Sequence, residues 1–216
     1  MRWRAWAALA ALALPASAHA APLAAAEIAA LCRNAEDQAH CGRLVEARQL
    51  RRWPKLAERD GDELRVPYQP LGLTVFRDRI DIVGAKSYAL WDYLEHLDTL
   101  VLFTTDGERT GFLLMQRQGG EEYRLPSEPV LAPDERHFVT ADFCDRGCEN
   151  EVALWRIQAK AVQKVSRWAP PAPWTDVSVT WKGADAIRLE YSMPGEPNPR
   201  TLERPLADPS WKAPAR

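Results

Sequence analysis

Apolar residues recur at helical spacing near the start of the chain, then at every second position or in short unbroken runs after residue 60. Ile28, Leu31, Cys32 and Ala35 mark one helix face; Leu44, Ala47, Leu50 and Trp53 mark another at steps of three. Together they predict a helical hairpin over residues 24–59, turned at 34–40. Asp37 stands where its side chain can cap the second helix, and Pro54 ends or kinks it. The polar face of that helix carries Arg43, Arg48, Arg51, Arg52 and Lys55. It reads as a solvated face paired with Glu46 and Glu58 rather than as a docking face for an acidic partner.

Asp60-Gly61-Asp62 is a turn, and the texture beyond it is β. Strands are predicted at 64–68, 72–76, 80–83, 100–105, 110–116, 122–125 and 137–143, then at 151–157, 161–168, 175–181, 187–191 and 201–205. Residues 88–97 are ambiguous: Leu90, Tyr93, Leu94 and Leu97 fit a helix turn, yet the segment is rich in aromatics. Asp106-Gly107, Gly119-Gly120 and Gly183-Ala184-Asp185 are turn signals that join neighbouring strands antiparallel. The tail from Pro209 is expected to fray. The fold class is α+β: a helical hairpin (21–60) covering an edge of a twisted, mainly antiparallel β-domain (61–216).

Residues 1–20 carry Arg2 and Arg4, a short apolar run broken by Pro15, and a small-x-small site at Ala18-His19-Ala20. This pattern predicts a secretory signal peptide cleaved after Ala20. The apolar run is about half the length of a membrane span, and no later segment approaches one. Removing Arg2 and Arg4 leaves 26 basic against 30 acidic residues, a balance that attracts neither nucleic acid nor anionic lipid. Cys32, Cys41, Cys144 and Cys148 form an even set after a leader, which implies disulfides in an oxidising compartment. Three pairings are possible. The local one, Cys32–Cys41 with Cys144–Cys148, keeps each bridge within one supersecondary unit. The Ala-, Arg- and Trp-rich composition suits a Gram-negative periplasm.

A faint repeat runs through the β-region. Pro129 and Pro173 are 44 residues apart, and Tyr88 lies 41 before Pro129, spacings that suit a four-stranded propeller blade. Leu131-Ala132-Pro133-Asp134-Glu135-Arg136-His137-Phe138-Val139-Thr140 resembles a strand pair of WD40-like and TolB-like blades. Ala153-Leu154-Trp155-Arg156-Ile157 resembles the strand that ends such a blade, with Arg156 where those have Asp. The chain is also similar to uncharacterised secreted proteobacterial proteins with a Cys-containing helical N-terminus. The resemblance spans roughly 90 residues, implies about three blade-like units, and brings no activity or cofactor with it. Three units cannot close a propeller. Either residues 64–83 add a partial fourth, or the units stack as a curved sheet or sandwich.

No GxSxG, HExxH, phosphate-loop or dinucleotide pattern occurs, so no cofactor is expected and no residue is named as catalytic. His40 sits beside Cys41 in a turn, and His137 begins a strand. His96 has Asp98 near enough to orient it as a general base, but no nucleophile can be tied to it. Asp142, Asp145, Glu149, Asn150 and Glu151 surround the Cys144–Cys148 tip. Their spacing does not match a calcium loop, and Arg146 sits among them, so a solvated hairpin is expected and no metal. A stapled tip presenting Asp145, Arg146 and Glu149 suits a protein partner, because a constrained loop loses less entropy on binding. Trp168 and Trp174 flank a proline-rich connection and are candidates for an aromatic platform under a glycan or peptide. The first functional expectation is therefore a non-enzymatic periplasmic binding protein for an envelope protein or glycan. The alternative is an envelope glycan hydrolase using two of Asp92, Glu95, Asp142 and Glu149.

Overall fold

The computed structural model describes residues 22–81, 84–144, 147–158, 160–196 and 198–214. The predicted leader lies outside them. Among the described residues two helices come first, α1 (Ala25–Cys32) and α2 (Gln38–Arg52). Asp37 caps α2 by accepting from the His40 N–H at 2.7 Å, and Cys32–Cys41 joins the end of α1 to the start of α2. The predicted hairpin is longer than the observed one: α2 stops at Arg52, and Glu58 and Arg59 already belong to a strand.

Fifteen strands follow among the described residues, in four antiparallel sheets that take them in chain order. The first sheet holds β1 (Glu58–Asp60), β2 (Glu63–Tyr68) and β3 (Gly72–Arg77). The second holds β4 (Arg79–Asp81), β5 (Gly84–Leu94), β6 (Thr99–Asp106), β7 (Arg109–Gln116) and β8 (Glu122–Leu125). The third holds β9 (Val130–Leu131), β10 (His137–Asp142), β11 (Glu151–Gln158) and β12 (Ala161–Trp168). The fourth holds β13 (Thr175–Lys182), β14 (Ala186–Ser192) and β15 (Arg200–Pro205). The ambiguous segment 88–97 is strand through Leu94, with a single 3₁₀ turn at Glu95–Leu97. The tail does not fray at Pro209: Lys212 and Arg167 exchange both backbone hydrogen bonds at 2.9 Å, and Trp211 packs onto the third core.

Successive side chains of a strand point to opposite faces, and the two faces of each inner sheet are both buried. In β6, Leu100 and Leu102 meet the first sheet while Val101 and Phe103 meet the third. In β10 and β11, Phe138 and Ile157 face the second sheet, and Val139, Val152 and Leu154 face the fourth. The four sheets thus stack with three cores between them. An unbroken apolar run such as Leu100-Val101-Leu102-Phe103 is what a doubly covered strand requires. The outermost strands alternate instead, as in β13 and β14, where one face is solvated.

The hairpin closes an edge. β4 covers β5 only at residues 84–86, leaving the rest of β5 without a strand neighbour on that side. Side chains take its place. Glu46 accepts from the Leu90 N–H at 3.0 Å, and Gln49 donates to the Trp91 carbonyl at 2.7 Å. Arg59 donates to the Tyr88 carbonyl at 2.6 Å, and Asp78 accepts from the Tyr88 N–H at 2.9 Å. Arg59 also grips Glu46 through two bonds of 2.7 Å, while Arg43 bridges Glu46 and Asp78. The buried face of α2 is therefore Gly42, Val45, Glu46 and Gln49, not the predicted stripe, of which Ala47 is exposed. Of the basic face, Arg43 faces inward to this network and Arg48 pairs with Glu27.

Candidate functional site

A cavity of about 550 Å³ opens between the second and third sheets, beneath residues 22 and 23 of the N-terminal segment. Its construction starts at a β-bulge. The register of β5 against β6 shifts between Leu90 and Asp92, which pair with Leu102 and Val101, leaving Trp91 as the extra residue. Bulges re-aim side chains. Here Trp91 turns into the core between the sheets, against Phe103 and Phe112 with ring centroids 5.2 and 5.7 Å away, and Asp92 lines the cavity beside it. Tyr93 and Phe138 complete the aromatic wall.

The polar part is acidic. Asp92, Glu95, Glu128 and Glu135 all line the cavity, and no lysine or arginine does among the described residues. The Trp91 indole N–H donates to Glu128 Oε1 at 2.7 Å. Glu128 is exposed overall, but this bond draws its carboxyl end inward. Desolvation raises the pKa of Glu128, the indole bond opposes the shift, and the charge of Asp92 adds to it. Asp92 is also shifted upward, first by burial. The Tyr93 N–H, the charge of Arg52 and the Gln49 side chain, whose Nε2 lies 3.3 Å away, pull the other way. Asp92 has the Arg52 cation near it, and Glu128 has the Asp92 anion.

The walls are braced. The Tyr93 hydroxyl donates to Asp98 at 2.8 Å, and Arg117 holds the same carboxylate at 3.0 Å. Burial, then the Asp98 contact, pushes the Tyr93 phenol up to about 12. His96 is an exposed histidine, and its partner is Glu135 rather than Asp98. Its Nε2 lies 2.7 Å from the Glu135 carbonyl and its Nδ1 3.3 Å from the Glu135 carboxylate. The ring instead ties the 3₁₀ turn after β5 to the turn before β10. His137 is likewise occupied, by Asp134 at 2.5 Å and Arg156 at 3.1 Å.

A second cavity, of about 660 Å³, lies along the same sheet boundary. Glu108 and Arg109 at the β6–β7 turn, the 126–128 connection, Asp142, Phe143 and the stapled tip enclose it. Glu128 lines both cavities. The tip bridge is Cys144–Cys148, so both disulfides have the local pairing. Asp145 and Arg146 lie outside the described residues. Of the other candidates there, Glu149 reaches Lys164 at 3.4 Å and gives its N–H to Asp142 at 2.9 Å. Glu151 is buried against Lys164 at 2.7 Å and Arg167 at 3.2 Å. Burial disfavours its charge, but those bonds outweigh burial and hold its pKa below the ordinary carboxylate range.

Trp168 and Trp174 do not form a platform. They are 7% and 5% exposed in the third core, where Trp174 stacks on Tyr191 at 3.6 Å and Arg204 lies 3.9 Å over Trp168. Of the four carboxylates considered from the sequence, Asp92 and Glu95 meet in the first cavity, Asp142 lines the second, and Glu149 lines neither. Trp91 and Glu128 went unmarked. Nothing in the periodicity announces a bulge, and Glu128 stands alone between Pro126 and Pro129. The chain matches no family model, no curated protein and no solved structure.

Proposed function

We propose that this chain is a secreted, periplasmic, non-enzymatic binding protein, and that its ligand enters the cavity between the second and third sheets. One observation carries this reading. The cavity joins an aromatic wall, Trp91, Tyr93 and Phe138, to four carboxylates and, among the described residues, no lining lysine or arginine. Such a site suits a ligand that has an apolar face and presents hydrogen-bond donors. Glu128 is held by the Trp91 indole and Asp92 by Gln49, so the acceptors are aimed before a ligand arrives. The paired disulfides agree with an oxidising compartment. We read the four stacked meanders as an open array of blade-like units, the residues of the WD40-like resemblance falling on β9 to β11.

A second reading has its own support. Asp92 and Glu128 are neighbouring carboxylates with unlike surroundings and raised pKa values, the condition that lets one carboxyl donate a proton while another stays charged. That is the requirement for glycoside hydrolysis. Incubation with chitotetraose and with peptidoglycan fragments separates the readings. Saturable binding without turnover supports the binding protein. Turnover that disappears in Glu128→Gln supports the hydrolase and overturns the first reading.

A further inference from the structure

We infer that the ligand is a basic segment of an extended polypeptide, its lysine or arginine side chain seated in the Trp91 cavity and its backbone running through the second cavity beneath the stapled tip. This rests on the reading of the cleft as a binding site and deepens it.

Charge decides the first part. Asp92, Glu95, Glu128 and Glu135 converge on a partly desolvated space whose only titratable cationic lining group, among the described residues, is His96. That ring is engaged by Glu135 on both nitrogens. Carboxylates gathered in a cleft with low-dielectric walls focus a negative potential on its mouth. A guanidinium or ammonium would neutralise that field, donate hydrogen bonds to the carboxylate oxygens, and lay its aliphatic stem along the aromatic wall. A sugar hydroxyl offers no such neutralisation.

Shape decides the second part. The two cavities meet at Glu128, so a cation held there stands at the entrance to the second space. That space changes character: Glu108, Arg109 and Asp142 give both signs of charge, and Phe112 and Phe143 give apolar surface. Ser127 lies beside Glu128 with a buried hydroxyl that has no hydrogen-bond partner. Mixed polarity fits the alternating N–H and C=O of a peptide better than a second cation. The tip disulfide Cys144–Cys148 forms part of the wall and keeps it rigid, which lowers the ordering cost of binding.

The test uses the full chain, isothermal calorimetry and the indole N–H resonance of Trp91 in an ¹⁵N-labelled sample. Four probes are titrated: a capped hexapeptide with arginine between leucines, its neutral citrulline counterpart, N-acetyl-arginine amide, and chitotetraose. The arginine hexapeptide is expected to bind about tenfold or more tightly than the citrulline peptide, the scale of one charge-assisted hydrogen bond. It is also expected to exceed the single amino acid by about tenfold and to weaken with added salt. Glu128→Gln should reduce its affinity by about tenfold. Thr110→Trp, which fills the second cavity, should weaken the hexapeptide and leave the capped arginine unchanged. Equal binding of the citrulline peptide overturns the cationic ligand, and equal binding of the capped arginine overturns the extended one. Chitotetraose moving Trp91 while the peptides do not overturns this inference and leaves the cleft standing as a site. If no probe moves Trp91, the inference and the reading beneath it both fall.

Discussion

Replacing Glu46 with alanine would leave the Leu90 N–H without its acceptor and strip the Arg59 guanidinium of its two carboxylate bonds, leaving it the Tyr88 carbonyl, with Arg43 losing a partner too. Removing one member of a buried pair costs about 3–5 kcal/mol, so the melting temperature should fall on the order of 10 °C for a chain of this size. Glu46→Gln keeps an acceptor for Leu90 and should lose less. A melting point within about 2 °C of the parent for the alanine variant would sink the account of Glu46 as an edge cap. Two other carboxylates set opposite pH trends. Asp92 has a raised pKa when folded, so its contribution is complete below the unfolded value and is lost as pH rises through the folded one. Glu151 is lowered, so its contribution holds above the unfolded value and is lost on acidification. Urea unfolding from pH 3 to 8 should show Asp92→Asn gaining on the parent toward neutrality. Glu151→Gln should flatten the acid-side decline. Parallel curves for the parent and either variant would contradict the assignment for that residue. The edge-capping role of Glu46 was not legible in the sequence, where it reads as a partner on a solvated helix face, and nothing there marks the burial of Asp92, because tertiary packing creates both.

At the scale of elements, most strands were legible and the reason is geometric. Alternation marks a strand with one wet face, and the runs in β6, β7 and β10 mark strands covered on both. Residues 88–97 were ambiguous because burial on both faces erases period two, leaving Leu90, Tyr93 and Leu94 at a spacing that also fits a helix. The bulge at Trp91 adds one residue and shifts the phase again. The α2 face was read one position off, since Glu46 and Gln49 occupy core positions as edge-pairing side chains. Gly42 shows how tightly α2 sits: a Cβ there would lie 2.9 Å from Phe103 Cδ1 and 3.2 Å from Ala89 Cβ. Gly42→Ala removes a helix penalty of about 1 kcal/mol, yet overpacking costs about 1–3 kcal/mol. The net effect should be destabilising by thermal denaturation; a higher melting point would show that Phe103 yields freely. The disulfides belong to this scale as well. Cys144→Ser/Cys148→Ser should cost about 2 kcal/mol from its short loop. Because the tip walls the second cavity, the loss should reach peptide affinity too. Unchanged affinity would place the ligand elsewhere.

The whole molecule explains where the site lies. Four sheets laid in chain order make three interfaces, and the middle one is wedged by the bulge and by the 126–129 connection that crosses it. The first cavity lies at that interface, lined by residues from the bulge onward in β5 and by the chain that enters β9. Glu128 could not be foreseen from the sequence: its position depends on how β8 hands the chain to β9, and no local pattern encodes that. Asp92 and Glu95 were legible as candidates, and their convergence was not. Truncating the stacking core tests the architecture. Phe138→Ala removes a fully buried ring that stacks on Trp155 at 5.7 Å and should cost about 3–5 kcal/mol. Equilibrium unfolding should remain a single transition, because Phe138 lies in the core shared by both inner sheets. Two separated transitions would show that the sheets do not share one cooperative core. The site itself is tested most directly by titrating ¹⁵N-labelled protein with the arginine hexapeptide and with chitotetraose. The Trp91 indole N–H, assigned through Trp91→Phe, is the signal to follow. A saturable shift of that resonance with at least one of them, abolished or weakened in Glu128→Gln, is the predicted result. A Trp91 resonance that stays fixed with both, while signals elsewhere move or none do, would contradict a binding site between the second and third sheets.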